Sequence, residues 1–174
     1  MPADTATSMD TLADRARDIR LLVLDVDGVL TDGRLYFSAQ GEEMKCFHVR
    51  DGAGIVALLR AGIQVAVISG RRSQAVERRM NELGVTQVRQ GVQDKGAALR
   101  DLLGIVDIGP QALACIGDDV PDLPLFAVAR LAVGVADAHP AVIARAHYVT
   151  RARGGEGAVR EICDLIVDAR ARPP

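Results

Sequence analysis

The chain has 174 residues, of which 49% are hydrophobic, 25% charged and 3% aromatic, and it contains no Trp. Its 21 basic and 23 acidic side chains give a formal net charge of −2, so no overall positive field attracts nucleic acid or anionic lipid. The first 20 residues lack the apolar segment of a signal peptide, and no apolar run reaches the ~18 residues of a membrane span. We therefore expect a cytoplasmic protein of one domain (1–174) that binds neither nucleic acid nor membranes.

Short apolar segments alternate with longer amphipathic ones, after a short helix predicted around residues 9–18. The predicted strands are 21–25, 63–69, 85–89, 112–117 and 131–135. The predicted helices are 52–61, 72–83, 94–103, 122–129 and 157–170. Gly84 and Gly104 are predicted to stop two of these helices. The alternation is typical of an α/β fold with a Rossmann-like parallel sheet and helices on both faces.

One segment, residues 33–52, interrupts this alternation with the sequence GRLYFSAQGEEMKCFHVRDG. Two stretches that can be extended flank the turn-like AQGEE, which predicts a small β-hairpin inserted after the first strand. Tyr36, Phe37 and Phe47 all lie on this hairpin, although it is too small to have a core of its own. The hairpin is therefore expected either to pack on a neighbouring molecule or to fold back over its own sheet, and both alternatives stay open.

Polar side chains cluster where the predicted strands end. Asp25 and Asp27 follow the first strand in LLVLDVDGVLTD. The other candidates of this kind are Ser69, Lys95, Asp118 and Asp119. Ligands of open α/β sheets gather at the carboxyl ends of strands, and carboxylates with one lysine suit Mg²⁺ and a phosphate group. Asp and Gly are also common in turns, so DVDG alone would favour a turn. An EF-hand loop is excluded, because Val29 and Tyr36 stand at positions where that loop needs oxygen ligands.

Four segments in order, LLVLDVDGVLTD, VAVISGR, Lys95 and CIGDDVPD, resemble the motifs of the haloacid dehalogenase-like phosphatase superfamily. The resemblance implies that Asp25 is the nucleophile that takes the phosphoryl group. It implies that Asp27 protonates the leaving alcohol and then activates water for hydrolysis of the aspartyl-phosphate. Ser69 and Lys95 are implied to hold the phosphoryl oxygens.

The same resemblance implies a Mg²⁺ ion held by the side chains of Asp25 and Asp118 and by the backbone carbonyl of Asp27. Asp119 is implied to support this site by hydrogen bonding or through a water molecule. The metal and the neighbouring charges would separate the pKa values of the acids at i and i+2, so that one is ionised while the other holds a proton.

The spacing of the motifs leaves no room for a cap domain. Only the hairpin and one helix separate Asp27 from Ser69, and only a helix and a strand separate Ser69 from Lys95. An uncapped site needs something else to exclude water, because its electrostatic interactions strengthen when water leaves. We expect either a partner subunit or a macromolecular substrate to cover it.

Longer segments, HVRDGAGI, ISGRRS, VADAHP and GGEGAVREICDLI, resemble the 3-deoxy-D-manno-octulosonate 8-phosphate phosphatase family within this superfamily. This resemblance implies hydrolysis of that sugar acid phosphate for lipopolysaccharide precursor synthesis, by a homotetramer whose neighbouring subunits close each site. The implied substrate-binding residues are Asp27, His48, Val49, Arg50, Asp51, Gly52, Val56, Arg71, Arg79 and Lys95. Relatives often carry a basic side chain where Val56 stands, so specificity for this sugar is less firmly implied than the phosphatase chemistry.

Three alternative functions are weighed against this one. A phosphatase of a nine-carbon keto sugar acid 9-phosphate would keep the same chemistry. A non-catalytic oligomerisation module of the same fold is expected to lack Asp25, Asp27 or Lys95, and all three are present. A receiver domain also takes phosphate on a strand-end Asp, but it lacks a second acid at the position of Asp27.

Structural alternatives exist for several of these residues. Arg50 can pair with Asp51 or Glu43, and Arg79 with Glu77 or Glu82, as ordinary surface ion pairs. The C-terminal tail, residues 151–174, contains the glycine-rich segment RARGGEGAVRE. Its backbone N–H groups are expected either to face an anion in a neighbouring site or to form a flexible joint before the last helix.

Overall fold

In the computed structural model, which describes residues 12–171, six parallel strands form one sheet. They are β1 (Leu21–Leu24), β4 (Gln64–Ile68), β5 (Gln87–Arg89), β6 (Leu113–Gly117), β7 (Leu131–Gly134) and β8 (Tyr148–Val149). Their order across the sheet is β5-β4-β1-β6-β7-β8. β2 (Tyr36–Phe37) and β3 (Glu43–Met44) form a separate antiparallel hairpin. The predicted parallel sheet and the small hairpin inserted after the first strand are both confirmed.

Helices cover both faces of the sheet. They are α1 (residues 12–17), α2 (Val49–Arg60), α3 (Gln74–Leu83), α4 (Lys95–Val106), α5 (Leu123–Phe126), α6 (Pro140–Ile143) and α7 (Ala158–Ala171). α2 packs against α7 and α3, whereas α4 packs against α5. The part of the predicted helix 9–18 that precedes residue 12 lies outside the described residues. Among the helices of residues 12–171, none is both long and apolar enough to cross a membrane.

The segments between the sequence motifs contain no cap domain within residues 12–171, as predicted. Between β1 and β4 the chain forms only the hairpin and α2, and between β4 and α4 it forms only α3 and β5.

β1 is the centre of the sheet and of the core. It hydrogen-bonds in parallel to β4 on one side and to β6 on the other, and its four residues, Leu-Leu-Val-Leu, are fully buried. A strand with neighbours on both edges and helices on both faces requires apolar side chains throughout. The chain proceeds from β1 to β4 and β5 and then returns to β6, so the strand order reverses beside β1. Ligands of doubly wound sheets bind at such a reversal.

Helix ends follow the sequence signals in part. α3 ends at Gly84 in the left-handed conformation (φ 80°), as predicted. The predicted stop at Gly104 is wrong, because α4 continues to Val106 and ends at Asp107 with φ 52°. The longer helix brings Ile108 into the core, where only 4% of its surface is exposed, and this burial outweighs the helix-breaking tendency of an interior glycine. The short elements α6 and β8 were not predicted.

The glycine-rich loop before α7 is docked on its own chain rather than forming a flexible joint. The N–H of Gly155 donates to the carbonyl oxygen of Val29 (2.9 Å), and the N–H of Gly154 donates to Oδ1 of Asp137 (3.0 Å). Both N–H groups are engaged within the chain, so neither is free to bind an anion here. A Cβ on Gly154 would overlap the carbonyl oxygen of Gly28, which explains why the close contact needs glycine at 154.

This contact predicts opposite effects for two Gly→Ala substitutions. We expect Gly154→Ala to lower the free energy of unfolding by about 1–3 kcal/mol, because the loop after β1 must move to admit the methyl group. Gly104→Ala is the matched control, since a Cβ there meets nothing within 4 Å inside α4, and it should raise stability by roughly 0.5–1 kcal/mol. Urea unfolding followed by circular dichroism measures both values. Equal effects of the two substitutions would contradict the close packing at Gly154.

Candidate active site

The ends of three neighbouring strands bring polar residues together at the strand-order reversal. Asp25 directly follows β1, Ser69 follows β4 and Asp118 follows β6. They line an open cavity of 250 Å³. The lining residues are Asp25, Asp27, Ser69, Gly70, Arg71, Lys95, Asp118, Asp119, Pro121 and Asp122. The structure thus gathers all the residues proposed from the sequence for catalysis and metal binding, together with Arg71.

Three carboxylates lie at the floor of this cavity around one lysine. Oxygen atoms of Asp25, Asp118 and Asp122 lie within 4.8 Å of one another. Nζ of Lys95 lies 2.8 Å from Oδ1 of Asp25 and 2.6 Å from Oδ1 of Asp122. With every group ionised, one lysine leaves a surplus of two negative charges, which one divalent cation would neutralise. Oxygen donors of this number and type fit Mg²⁺.

The crowding of these carboxylates changes their proton affinity. Burial, together with the charge of Asp122, raises the pKa of Asp25 to about 6 although Lys95 acts in the opposite direction. Burial and the charges of Asp25 and Asp122 raise the pKa of Asp118 to about 8. Burial favours neutral Lys95, but the carboxylates of Asp25 and Asp122 outweigh it and raise the pKa of this lysine. Without a metal, the site therefore retains protons that a cation would displace.

The backbone around the first motif is built for close approach of two loops. Gly28 has φ 91°, a left-handed conformation that side chains rarely adopt, and a Cβ there would overlap the carboxylate of Asp118. The N–H of Gly28 donates to Oγ1 of Thr31 (3.3 Å), which holds the turn. The glycine of DVDG therefore has a role in the site itself, since it lets Asp118 lie beside Asp25.

Sequence reasoning did not identify Asp122, the third acid of the cluster. It is buried, and its Oδ2 accepts hydrogen bonds from the N–H groups of Asp118 (3.0 Å) and Asp119 (3.3 Å). Its other oxygen, Oδ1, faces Lys95. The available signal was its spacing, because an acid four residues after Asp118 in GDDVPD returns to the same loop after one short turn.

Asp119 lies at the rim of the cavity and has a local structural role. Its Oδ1 accepts a hydrogen bond from the N–H of Val120 (2.7 Å) at the start of the 3₁₀ turn Val120–Asp122. The side chain is the N-cap of this turn, which in turn positions Asp122. A water-mediated role for Asp119 at the metal stays a prediction.

Asp27 faces a separate set of cations beside the cavity. Nζ of Lys45 donates a hydrogen bond to Oδ1 of Asp27 and lies 3.2 Å from Oε1 of Glu43. Nη2 of Arg71 donates to the same Glu43 oxygen (2.9 Å), and Nε of Arg71 lies 3.9 Å from Oδ2 of Asp27. Burial acts against ionisation of Glu43, but the hydrogen bonds from Arg71 and Lys45 outweigh it and lower its pKa. Sequence reasoning identified Arg71 but missed both Lys45 and Glu43 as members of the site.

The predicted substrate-binding residues around the start of α2 lie outside the 250 Å³ cavity. His48 is the N-cap of α2, where its Nδ1 accepts from the N–H of Arg50 (3.2 Å). His48, Gly52 and Arg79 line a different crevice, of only 10 Å³, and Arg79 lies 3.5 Å from Glu82. Val49 and Arg50 are exposed, and Val56 is half-buried along α2. Contacts of these residues with a substrate stay predictions.

Asp51 connects two helices. It is buried, and its Oδ1 accepts a hydrogen bond from the N–H of Arg160 (2.8 Å) at the first turn of α7. Burial nevertheless raises its pKa, against the hydrogen bonds from α7 and the charge of His48. Its carboxylate thus caps α7 and does not line the open cavity with Asp25.

Comparisons with known proteins agree with this geometry. A haloacid dehalogenase-like hydrolase family model matches residues 88–162. The 3-deoxy-D-manno-octulosonate 8-phosphate phosphatase KdsC of Yersinia pestis is 52% identical over 161 residues, covering 92% of this chain and 86% of the relative. A crystal structure of the phosphatase from that organism has a TM-score of 0.92 at 51% identity, covering 93% of this chain and 88% of the other.

A second solved structure carries ligands. The 3-deoxy-D-manno-octulosonate 8-phosphate phosphatase of Moraxella catarrhalis, in complex with a magnesium ion, a phosphate ion and KDO, has a TM-score of 0.92 at 40% identity. The match covers 94% of each chain. These likenesses extend over nearly the whole length of both proteins. The chain therefore belongs to the haloacid dehalogenase-like hydrolases, in the family of 3-deoxy-D-manno-octulosonate 8-phosphate phosphatases.

Proposed function

We propose that this protein is a Mg²⁺-dependent phosphatase that hydrolyses 3-deoxy-D-manno-octulosonate 8-phosphate to the free sugar acid and phosphate, in lipopolysaccharide precursor synthesis. The observation that carries the proposal is buried Asp25, next to Lys95 and two further carboxylates, with Asp27 two residues away at the same cavity. The choice of substrate is supported by the magnesium, phosphate and KDO bound to the similar Moraxella catarrhalis enzyme.

The first step in this proposal transfers the phosphoryl group to Asp25. A carboxylate oxygen of Asp25 forms a bond to phosphorus while the bond from phosphorus to the sugar oxygen breaks. Asp27 gives its proton to that sugar oxygen, which leaves as the alcohol. Ser69 and Lys95 hold the phosphoryl oxygens, and Lys95 offsets their charge. When bound by Asp25, Asp118 and the Asp27 carbonyl, Mg²⁺ supplies positive charge that offsets the carboxylates and polarises the phosphoryl group.

The second step hydrolyses the aspartyl-phosphate. Asp27, now ionised, takes a proton from a water molecule whose oxygen bonds to phosphorus, and the bond to the Asp25 oxygen breaks. Phosphate leaves and the Asp25 carboxylate is regenerated. The half-buried position of Asp27 at the cavity, within reach of solvent, suits an acid that must meet first an alcohol and then water.

Recognition of the sugar acid is assigned in this proposal to Arg71 at the cavity and to the residues around the start of α2. Arg71 is half-exposed, and its guanidinium can address a substrate carboxylate or hydroxyl groups. Val56 contributes no charge at a position where relatives often carry a basic side chain. A nine-carbon keto sugar acid 9-phosphate is therefore the competing substrate that belongs in the same assay.

We further propose that the chain assembles as a homotetramer in which neighbouring subunits cover each open site. Five large apolar side chains are exposed on the hairpin segment and the start of α2: Leu35, Tyr36, Phe37, Met44 and Val49. Phe37 and Met44 each expose 57% of their surface. A concentration of exposed apolar side chains on one small feature marks an association surface.

The whole chain, residues 1–174, is proposed to form a single domain that acts in the cytoplasm. Cys46, Cys115 and Cys163 are all free thiols. Unpaired cysteines are typical of a reducing compartment.

Replacing the nucleophile tests the chemistry. We expect Asp25→Asn to lower Mg²⁺-dependent phosphate release from the eight-carbon sugar phosphate at least about 10³-fold, because the amide cannot form the aspartyl-phosphate. The thermal midpoint should not fall, since the substitution removes one of three crowded negative charges. Asp101→Asn, on the exposed face of α4, is the matched control and should keep full activity. Near-normal turnover of Asp25→Asn would remove Asp25 from this role, and faster hydrolysis of the nine-carbon phosphate would change the proposed substrate.

The raised pKa values predict that Mg²⁺ binds more tightly as pH rises. With pKa values raised to about 6 for Asp25 and about 8 for Asp118, the metal-free acid cluster holds more protons at pH 6 than at pH 8. A cation must displace these protons, so its affinity should increase from pH 6 to pH 8, with release of protons to the buffer. Calorimetric Mg²⁺ titrations in two buffers of different ionisation enthalpy measure both quantities. Affinity that stays constant over this range, without proton release, would contradict the raised pKa values.

A charge placed on the hairpin tests the assembly. We expect Phe37→Glu to raise the dissociation constant of the tetramer at least about tenfold, because the interface would have to bury an unpaired carboxylate. Activity should fall in parallel as the open sites lose their covers. Ile105→Glu changes an equally exposed residue on α4, away from the hairpin, and is expected to leave assembly and activity intact. Sedimentation velocity gives the oligomeric state; a monomeric wild type with full activity would overturn the proposal.

A further inference from the structure

The chain contains only two lysines, Lys45 and Lys95, beside 19 arginines. Each lysine contacts an aspartate of the first motif. Nζ of Lys95 lies 2.8 Å from Oδ1 of Asp25, and Nζ of Lys45 donates a hydrogen bond to Oδ1 of Asp27. A lysine ammonium is a compact point charge, whereas an arginine fork spreads its donors over a plane. The two places where this chain uses the compact cation are therefore both at the candidate active site.

The position of Lys45 is unusual for a residue of a small surface hairpin. Only 2% of its side chain is exposed, and its second partner is Oε1 of Glu43, two residues earlier on β3. Burying an ammonium is unfavourable unless partners compensate for its lost hydration, and an apolar residue would usually pack there at least as well. Stability of the hairpin alone therefore does not account for a buried cation at this position. The contact with Asp27 does provide an account.

We propose that Lys45 is a positioning residue that orients the carboxyl group of Asp27 for proton transfer to the leaving alcohol, an inference that rests on the proposed function. The lysine ammonium has donors and no acceptor, so the unprotonated oxygen of a carboxyl group is its better partner, and it occupies Oδ1. The proposal therefore assigns the catalytic proton of Asp27 to Oδ2. Nε of Arg71 lies 3.9 Å from Oδ2, beyond hydrogen-bonding distance, so this oxygen remains free to donate.

The proton transfer accompanies the breaking of the bond to the leaving group. Oδ2–H of Asp27 gives its proton to the ester oxygen of the sugar as the bond from phosphorus to that oxygen breaks, and the bonding electron pair stays on the oxygen. Asp25 forms the new bond to phosphorus. Asp27 is left as a carboxylate whose Oδ1 already faces the Lys45 ammonium, so the negative charge that develops is met without rearrangement.

Glu43 holds the two cations that contact Asp27 in place. Its Oε1 accepts from Lys45 (3.2 Å) and from Nη2 of Arg71 (2.9 Å), so both cations around Asp27 are tied to one carboxylate of the hairpin. Asp27 is thereby held from the hairpin side while Asp25 is held from the α4 side by Lys95. A rotation of the Asp27 side chain away from the cavity would break the contact with the buried lysine.

Two substrates with different leaving groups distinguish a positioning role of Lys45 from a purely structural one. An alkyl phosphate such as the sugar substrate releases a strongly basic alkoxide that needs a proton, whereas 4-nitrophenyl phosphate releases a stable phenolate that does not. We expect Lys45→Met to lower kcat/KM for the sugar phosphate about 10²-fold and for 4-nitrophenyl phosphate less than about threefold. Both assays use one preparation of the protein, so any misfolded fraction cancels in the ratio. kcat/KM reports on phosphoryl transfer to Asp25 and excludes the later hydrolysis step.

Two further variants complete the experiment. Lys45→Arg keeps a donor and a charge. It should therefore restore part of the kcat/KM for the sugar phosphate, relative to that for 4-nitrophenyl phosphate, that Lys45→Met loses. Arg34→Met makes a similar change in a highly exposed residue at the start of the hairpin segment and should leave both substrates unchanged. An equal loss on both substrates in Lys45→Met, or no loss on either, would overturn the positioning role while leaving the proposed function intact. A wild-type protein that hydrolyses 4-nitrophenyl phosphate but not the sugar phosphate would overturn the proposed function, and the inference with it.

Discussion

The candidate active site depends on a surplus of negative charge at the carboxyl ends of the central strands. Asp25, Asp118 and Asp122 converge where the strand order reverses, and Lys95 is the one cation in direct contact with them among the described residues. Such an arrangement opposes folding, as the raised pKa values of Asp25 and Asp118 express. The fully buried β1 and its two parallel neighbours supply the rigidity that holds these side chains together. Stability at this edge is lowered in favour of a site that a divalent cation and a phosphoryl group can complete.

Two aspartates two residues apart experience different surroundings because of where the chain turns. Asp25 directly follows β1 and belongs to the buried acid cluster, whereas Asp27 lies in the turn that follows and contacts Lys45 and Arg71. The left-handed Gly28, directly after Asp27, lets Asp118 approach this turn closely. A short motif thus gives one acid an anionic environment and the other a cationic one. The anionic environment raises the pKa of Asp25, and a divalent cation bound beside it would offset that effect and favour the ionised nucleophile.

The sequence predicted what is local and missed what depends on distant contacts. Strands β1, β4, β6 and β7 lie where apolar runs indicated, and their polar ends defined most of the cavity. The prediction that α4 ends at Gly104 was wrong, because the burial of Ile108 beyond it decided where the helix ends. The four residues of α6 and the two of β8 are too short to show a period. Asp122 and Lys45 contact partners 27 and 18 residues away, and no spacing rule predicts which acid meets which lysine at that range.

The hairpin takes part in two proposals that are otherwise independent, the assembly of the chain and the positioning of Asp27. Phe37 and Met44 of the hairpin are exposed, while Glu43 and the adjacent Lys45 contact Arg71 and Asp27. A hairpin with two residues in each strand has little stability of its own. A partner that covers the exposed side chains would also stabilise the contacts of Glu43 and Lys45, because all of them belong to one small folded element, and the coupling is reciprocal. We therefore expect the proposed assembly to strengthen the hold on Asp27, so that neighbouring subunits would order the proposed proton donor as well as cover the site.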